Sequence, residues 1–196
     1  SFGFIPFVSG IFFMLYQQIE RWSVNLFLGP EALGKMYLVF LTTTLWILVP
    51  TSILNLYFPK AIKFYTDNDF HNFHKIIKLN IIISSLYCII TSVIILILLK
   101  PVVGFIFPKH VPYSFLVFLA LPGLIFRTLL DPISLYLNSI VRLKPIFWSD
   151  LFSTIIYIFC ILFLFFNDTF SLTNFVICFD IYMCFKFFYL LFDCLN

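Results

Sequence analysis

Several ionisable side chains lie inside apolar stretches of this sequence, and the presence of each charge there requires a chemical explanation. Gln17, Glu20 and Arg21 are three or four residues apart, so on a helix they form one polar face. Arg127 and Asp131 have the same four-residue spacing and can form an ion pair. A charged group near the centre of a bilayer costs about 2.5 to 3.5 kcal/mol, so we expect these groups to face a partner, a cavity or a ligand.

The last apolar stretch carries two further charges, Asp180 and Lys186. They are six residues apart and do not share a helix face, so each requires a partner on another helix. We also expect four amide side chains to be buried, at a lower cost than a charge: Asn25, Asn55, Asn80 and Asn138.

Structural explanations compete with functional ones at several of these positions. Arg127 and Asp131 can neutralise each other and simply set helix packing. Arg21 lies near enough to a helix end to extend its charged group to the membrane boundary. His71 and His74 have no third ligand nearby in sequence, so no metal site is predicted. The five cysteines lie inside apolar stretches and are predicted to pack as small apolar side chains without a disulfide.

Composition predicts an integral membrane protein. The chain is 62% hydrophobic and 11% charged, with a mean hydropathy of +1.07. Residues 36–59 and 81–99 contain no charged side chain, and each is long enough as a helix to cross roughly 30 Å of hydrocarbon. The net charge of +3 is small and scattered, which argues against a nucleic-acid partner.

Proline, glycine and charged residues divide the chain into six apolar blocks. The predicted helices are 2–28, 33–65, 70–99, 113–142, 145–167 and 171–194. The segment 100–112 is expected to form a short interfacial helix. The prediction is one membrane domain, residues 1–196, of the all-α class. Because the chain opens at Ser1 inside apolar sequence, we expect it to be a fragment of a longer protein.

Basic residues in alternate turns predict the orientation in the membrane. Six lie on one side of the predicted topology and three on the other: Lys60, Lys63, Lys75, Lys78, Arg142 and Lys144 against Lys35, Lys100 and Lys109. The positive-inside rule places the larger set, and both chain ends, in the cytoplasm.

Proline residues inside the predicted spans form a second signal. Pro50, Pro59 and Pro122 lie within or at the end of spans, and Pro122 is followed by Gly123, close to Arg127. Each proline frees a backbone carbonyl, which membrane helices tolerate where a neighbour supplies a donor. Broken helices of this kind occur beside binding sites in transporters.

The stretch QQIERWSVNLFLGPEALGKMYLVF resembles the start of a lobe of the multidrug/oligosaccharidyl-lipid/polysaccharide flippases. In that superfamily an acidic and a basic residue end the first helix, before a pattern of Leu-Gly, Gly and Tyr. Here these are Glu20 and Arg21, then Leu28-Gly29, Gly34 and Tyr37. The stretch FPKHVPYSFLVFLALPGLIFRTLLDP is similar to a later part of a lobe. Within the superfamily the sequence is most similar to the Wzx-type O-antigen flippases.

This resemblance implies one six-helix lobe of a MATE-like fold, with a second lobe missing. It implies transport of undecaprenyl-pyrophosphate-linked oligosaccharide across the cytoplasmic (inner) membrane, without enzymatic activity or a cofactor. Arg21, Arg127, Glu20 and Gln17 would then bind the substrate, since arginine offers a planar donor fork to phosphate. Three further charges would balance the cavity or bind a coupling ion: Asp131, Asp180 and Lys186.

Three other functions are open at this point. One is a non-catalytic partner protein, since a single lobe has no facing lobe with which to enclose a cavity. A multidrug cation exporter of the same superfamily would have an acidic, aromatic cavity rather than one lined by arginine. A membrane enzyme of polysaccharide assembly would present catalytic groups on a sizeable outer loop, whereas the outer loops here have about a dozen residues or fewer. The predicted partners of the favoured function are the lipid-linked oligosaccharide, membrane lipids and the second lobe.

Overall fold

The structure, a computed structural model, describes the backbone of residues 4–195. Side chains are described over the same range except at 4–10, 12, 13, 16, 17 and 195. Helices make up nearly all of this range, and residues 4–195 contain no β-strand. The predicted all-α class is therefore confirmed.

Six long helical segments follow one another along residues 4–195. The first continuous helical stretch, Phe4–Thr66, is interrupted at Gly29, and we name its two arms α1 (4–28) and α2 (30–66). The remaining helices are α3 (Phe70–Ile106), α4 (Ser114–Ser139), α5 (Lys144–Phe166) and α6 (Leu172–Leu195), with a short 3-10 helix at Pro108–Tyr113.

The chain reverses direction at Gly29. Its φ of 83° is left-handed and favours glycine, and Pro30 follows as the first residue of α2, where a missing N–H is harmless. The Arg21 guanidinium lies 5.6 Å from the centre of the Phe40 ring. In one straight helix these residues would be about 28 Å apart. α1 and α2 are therefore an antiparallel hairpin.

Two helix boundaries differ from the predicted ones for reasons of proline chemistry. α2 begins at 30 rather than 33, because Pro30 fits the first helical turn. α3 continues through Pro101 to Ile106, beyond the predicted end at 99. Pro101 removes only one backbone hydrogen bond, so the helix continues past it. The helix ends at Ile106, because Phe107 has a non-helical backbone and precedes Pro108. The short helix expected in 100–112 is the 3-10 helix.

The helix ends alternate between two ends of the bundle. At one end the Phe27 and Phe170 rings lie 4.7 Å apart, and the Lys35 ammonium lies 5.5 Å from the Tyr113 ring. At the other end Arg142, in the α4–α5 turn, pairs with Asp193 near the end of α6. The two predicted sets of basic residues therefore lie at opposite ends of the bundle.

Asp69 begins α3 at the more basic end. Its carboxylate accepts hydrogen bonds from the side-chain and backbone nitrogens of Asn72, at 2.6 and 3.2 Å. These bonds, the side-chain one foremost, hold the pKa of Asp69 below its ordinary value. The cap satisfies a backbone N–H that the first turn of a helix otherwise leaves unpaired.

The packed interior lies mainly between α2, α4, α5 and α6, and many large apolar side chains remain on the outside. Met36, Leu124, Tyr157 and Phe175 are fully buried. Five helical stretches within the described residues are long and apolar enough to cross a membrane: Gln18–Thr66, Phe70–Ile106, Pro108–Ser139, Lys144–Phe166 and Leu172–Cys194. This architecture fits a multi-pass membrane protein, in which lipid covers the exposed apolar surface.

Candidate functional site

Arg21 lines an open cleft whose walls come from three helices. α1 contributes Glu20 and Arg21, α2 contributes Phe40 and two threonines, and α6 contributes Phe179. The cleft is small, with a cavity volume of about 40 Å³. The guanidinium lies over the Phe40 ring, a cation–π contact, and the Arg21 side chain is exposed. A charged donor, hydroxyl groups and aromatic walls are thus brought together between α1, α2 and α6.

The same arginine also lines a second cleft, with a cavity volume of about 340 Å³, between α1 and α2. Arg21 is eight residues from the Gly29 turn, which is about 12 Å along a helix. Its charge is therefore held well below the end of the hairpin. Gln17, the third predicted member of this polar face, lies outside the described side chains.

Arg127 lies near the middle of α4 and holds a carboxylate. Its Nη1 donates to Oδ1 of Asp131 at 2.9 Å, the predicted pairing one turn along the helix. Only 8% of the Asp131 side chain and 22% of the Arg127 side chain are exposed. Arg127 is roughly 18 Å from either end of α4. This is a charge pair in the middle of a candidate membrane-spanning helix, and Arg127 does not line either Arg21 cleft.

Lys186 finds its partner on a different helix, as the sequence requires. Its Nζ forms a salt bridge with Oδ1 of Asp150 on α5, and both side chains are largely buried. Lys186 is also close enough to Asp131 for their charges to interact. Arg127, Asp131, Asp150 and Lys186 therefore form a group of two positive and two negative side chains between α4, α5 and α6, which we name the interior charge cluster.

Asp150 was missed by the sequence reasoning. It lies six residues into α5, inside the predicted helix 145–167, and the sequence analysis assigns it no role. A signal was nevertheless present, because an acidic residue inside an apolar helix normally has a partner at depth. Ser149 and Ser153 flank it and are fully buried, so α5 can approach α6 closely there.

Asp180 is held by a backbone amide of α4. The N–H of Gly123 donates to Asp180 Oδ1 at 2.8 Å. Pro122 has no N–H, so the hydrogen-bond ladder is already open at this point of α4. A Cβ at Gly123 would lie 2.4 Å from a Phe179 ring carbon and 2.5 Å from the Asp180 carboxylate. The Pro-Gly pair therefore allows α4 and α6 to touch and gives Asp180 a fixed position.

Two buried tyrosines lie between the cleft and the interior charge cluster. The rings of Tyr157 and Tyr182 meet edge to face at 5.7 Å, and neither side chain is more than 1% exposed. The charge of Glu20, which lines the cleft, acts on both hydroxyl groups. The charges of Arg127 and Asp150 act on Tyr182 as well. The tyrosine pair therefore lies within range of charges from both regions.

Pro50 leaves a free carbonyl that the structure satisfies. A proline at 50 removes the N–H that would bond the Trp46 carbonyl. The Tyr87 hydroxyl of α3 donates to that carbonyl at 2.8 Å, and the Trp46 indole donates to Thr128 Oγ1 at 2.7 Å. The carbonyl freed by Pro50 therefore ties α2 to α3, and the Trp46 indole separately ties α2 to α4.

The four amides do not share the predicted burial. Asn80 is buried, Asn138 is half-buried, and Asn25 and Asn55 are exposed. The prediction is wrong for Asn25 and Asn55, because hydropathy gives depth along a helix and says nothing of which face meets another helix. The cysteines are free. No group of three His, Cys, Asp or Glu side chains that could hold a metal ion occurs among the described residues.

Comparisons with protein-family models, with curated proteins and with solved structures found no match to this chain. What the site does must therefore be argued from its own charges and shape.

Proposed function

We propose that this chain is one lobe of a flippase that moves a lipid-pyrophosphate-linked oligosaccharide, of the undecaprenyl type, across the cytoplasmic membrane. The observation that carries the proposal is the placement of Arg21 in an open cleft between apolar helices. A guanidinium that stays protonated and presents a donor fork suits a pyrophosphate. Thr43 and Thr44 line the same cleft and add hydroxyl groups for phosphate or sugar oxygens.

The interior charge cluster would supply a second arginine to the substrate in the same transport step. Arg127 is paired with Asp131 and Lys186 with Asp150, so the cluster is neutral as a whole. A substrate phosphate entering from the Arg21 side would compete with Asp131 for Arg127, and a proton or cation would then balance the released carboxylate. Asp180, fixed by Gly123, would keep the α4–α6 contact in place during this exchange.

The proposed topology has six crossings with both chain ends in the cytoplasm. Its support is the unequal distribution of basic residues between the two ends of the bundle. A second lobe, facing the Arg21 cleft, would close the transport pathway. Transport rather than enzymatic catalysis is proposed, since the charged groups lie at membrane depth and away from the loops.

The test is a transport assay of Arg21→Gln in the full-length protein. We expect loss of surface polysaccharide and accumulation of the lipid-linked precursor, because the phosphate loses its donor. Melting in detergent should change little, since the Arg21 side chain is exposed and its removal leaves no buried charge unpaired. The matched control is Lys78→Gln, an exposed charge at the opposite end, which should leave transport unchanged.

Each alternative function gives a different result in the same assay. Normal polysaccharide in Arg21→Gln, at normal protein abundance, would reject the phosphate-binding role of this arginine. Sensitivity to cationic drugs on Glu20→Gln, with polysaccharide intact, would indicate a cation exporter. A polymer that is missing without accumulation of the precursor would indicate a membrane enzyme.

A further inference from the structure

A third pocket opens at the more basic end of the bundle, far from the Arg21 cleft. It has a cavity volume of about 460 Å³ and lies between the α4–α5 turn, the start of α5 and the last turns of α6. Its charged lining consists of Arg142, Lys144 and Asp193, and its aromatic lining consists of Trp148 and Tyr189. The two cations exceed the one carboxylate, so the pocket carries a net positive charge.

The carboxylate that faces the cations is only loosely engaged. Arg142 Nη2 lies 3.3 Å from Asp193 Oδ2, longer than the roughly 2.7 to 2.9 Å of a strong charge-assisted bond. The Arg142 side chain is 47% exposed, and Lys144 is exposed as well. The Asp193 side chain is 28% exposed, and its Oδ2 is buried and makes no hydrogen bond. An external anion that approaches Arg142 more closely can therefore replace Asp193 as its partner.

The pocket continues into a strip of exposed apolar side chains along α5. Trp148 stacks on Phe152 at 5.5 Å, and the strip runs on at helical spacing through Ile155 to Phe159. Each of these four side chains is at least 40% exposed. From 148 to 159 a helix rises about 16 Å, close to half of a 30 Å hydrocarbon layer. The strip therefore has the length of one lipid leaflet.

We propose that this pocket binds the headgroup phosphate of an anionic phospholipid. The phosphate lies between Arg142 and Lys144, the glycerol region meets Trp148 and Tyr189, and one acyl chain follows the α5 strip. Aromatic side chains favour this depth, at the boundary between headgroups and hydrocarbon. In the absence of lipid, Asp193 occupies the place of the phosphate. The proposal is independent of transport, and a free phosphate would have no use for the apolar strip.

The test compares three ligands on the purified chain in a neutral detergent, with binding followed by native mass spectrometry. Phosphatidylglycerol should bind at least about fivefold more tightly than phosphatidylcholine with the same acyl chains, since a basic residue near an anionic headgroup contributes about that factor. Glycerol 3-phosphate should bind far more weakly than either lipid. Equal binding of the two lipids, or tight binding of glycerol 3-phosphate, would overturn the proposal.

Two sets of variants locate the site. Arg142→Gln with Lys144→Gln should weaken phosphatidylglycerol binding about 25-fold, a factor of about five for each charge. Lys75→Gln with Lys78→Gln removes the same charge from exposed positions at the same end and should have little effect. A loss of equal size in both double variants would reject the pocket as the site.

A third variant separates lipid binding from a general loss of folding. Asp193→Asn removes the competing carboxylate and should tighten phosphatidylglycerol binding about threefold to fivefold. A poorly folded protein would not bind more tightly. Unchanged or weaker binding of this variant would contradict the assignment of Asp193 as the stand-in for the phosphate.

Discussion

The α1–α2 hairpin and the contact region of α4, α5 and α6 place the same kinds of residue in opposite surroundings. On the hairpin, Arg21 is exposed and lies over an aromatic ring, and Glu31 and Lys35 form an ion pair at the surface. Between α4, α5 and α6, each positive side chain of the interior charge cluster holds a carboxylate away from solvent. Open space surrounds the first set of charges and close packing surrounds the second.

This contrast separates charge that can meet a ligand from charge that holds helices together. A buried ion pair is strongly destabilising to break but is a weak source of net stability, so its effect appears when one partner is removed. An exposed charge has water as its alternative partner and can be removed with little effect on folding. Substitutions between α4, α5 and α6 should therefore mainly lower stability. Substitutions of charged residues on the α1–α2 hairpin should mainly weaken ligand binding.

The largest effect is expected at Asp150. Asp150→Asn leaves Lys186 buried without its carboxylate, and the free energy of unfolding should fall by about 3 kcal/mol. The measurement is an unfolding titration in mixed micelles. Asp150→Asn combined with Lys186→Met should recover most of the loss, because no unpaired charge remains.

Glu31→Gln is the control for this experiment on the hairpin side. The Glu31 side chain is 84% exposed and its bond to Lys35 lies at the surface, so no measurable loss of stability is expected. If Glu31→Gln and Asp150→Asn destabilise the protein equally, the contrast between the two regions is wrong.

A smaller effect is expected at Gly123. Gly123→Ala would push a methyl group against the Phe179 ring and the Asp180 carboxylate, and we expect a loss of about 2 kcal/mol as α4 and α6 move apart. The same titration measures it.

Gly34→Ala, on α2, is the matched substitution, since nothing lies within 4 Å of the added carbon. We expect this variant to be neutral or up to about 1 kcal/mol more stable, because alanine favours a helix over glycine. Similar losses at both glycines would show that close packing does not distinguish the two regions.

The smallest effect is expected at the boundary between them, where Tyr87 serves the carbonyl that Pro50 leaves free. Tyr87→Phe keeps the ring contact with Trp46 and removes one hydrogen bond, so a loss of about 1 kcal/mol is expected. In a Pro50→Ala background an N–H is available to the same carbonyl, and Tyr87→Phe should then cost little. A cost that is unchanged by Pro50→Ala would mean that the hydroxyl stabilises the fold in another way.

Local patterns predicted the features that depend on one segment at a time. The helical character of the apolar blocks and the pairing of Arg127 with Asp131 follow from distances along a helix, and the structure shows both within residues 4–195. The salt bridge from Lys186 to Asp150 could not be predicted, because their separation in sequence says nothing about how α5 and α6 face each other.

Amino-acid sequence alone determined that this chain is helical and fit for a membrane, because uncharged stretches of this length leave the backbone no other way to satisfy its hydrogen bonds in lipid. Only the tertiary structure decided which charges are exposed and which are sealed between helices. That choice depends on the rotation of each helix about its own axis, which is set by contacts such as that of Gly123 with Asp180. Hydropathy is the same for any rotation of a helix about its axis, so it does not determine which charges are exposed.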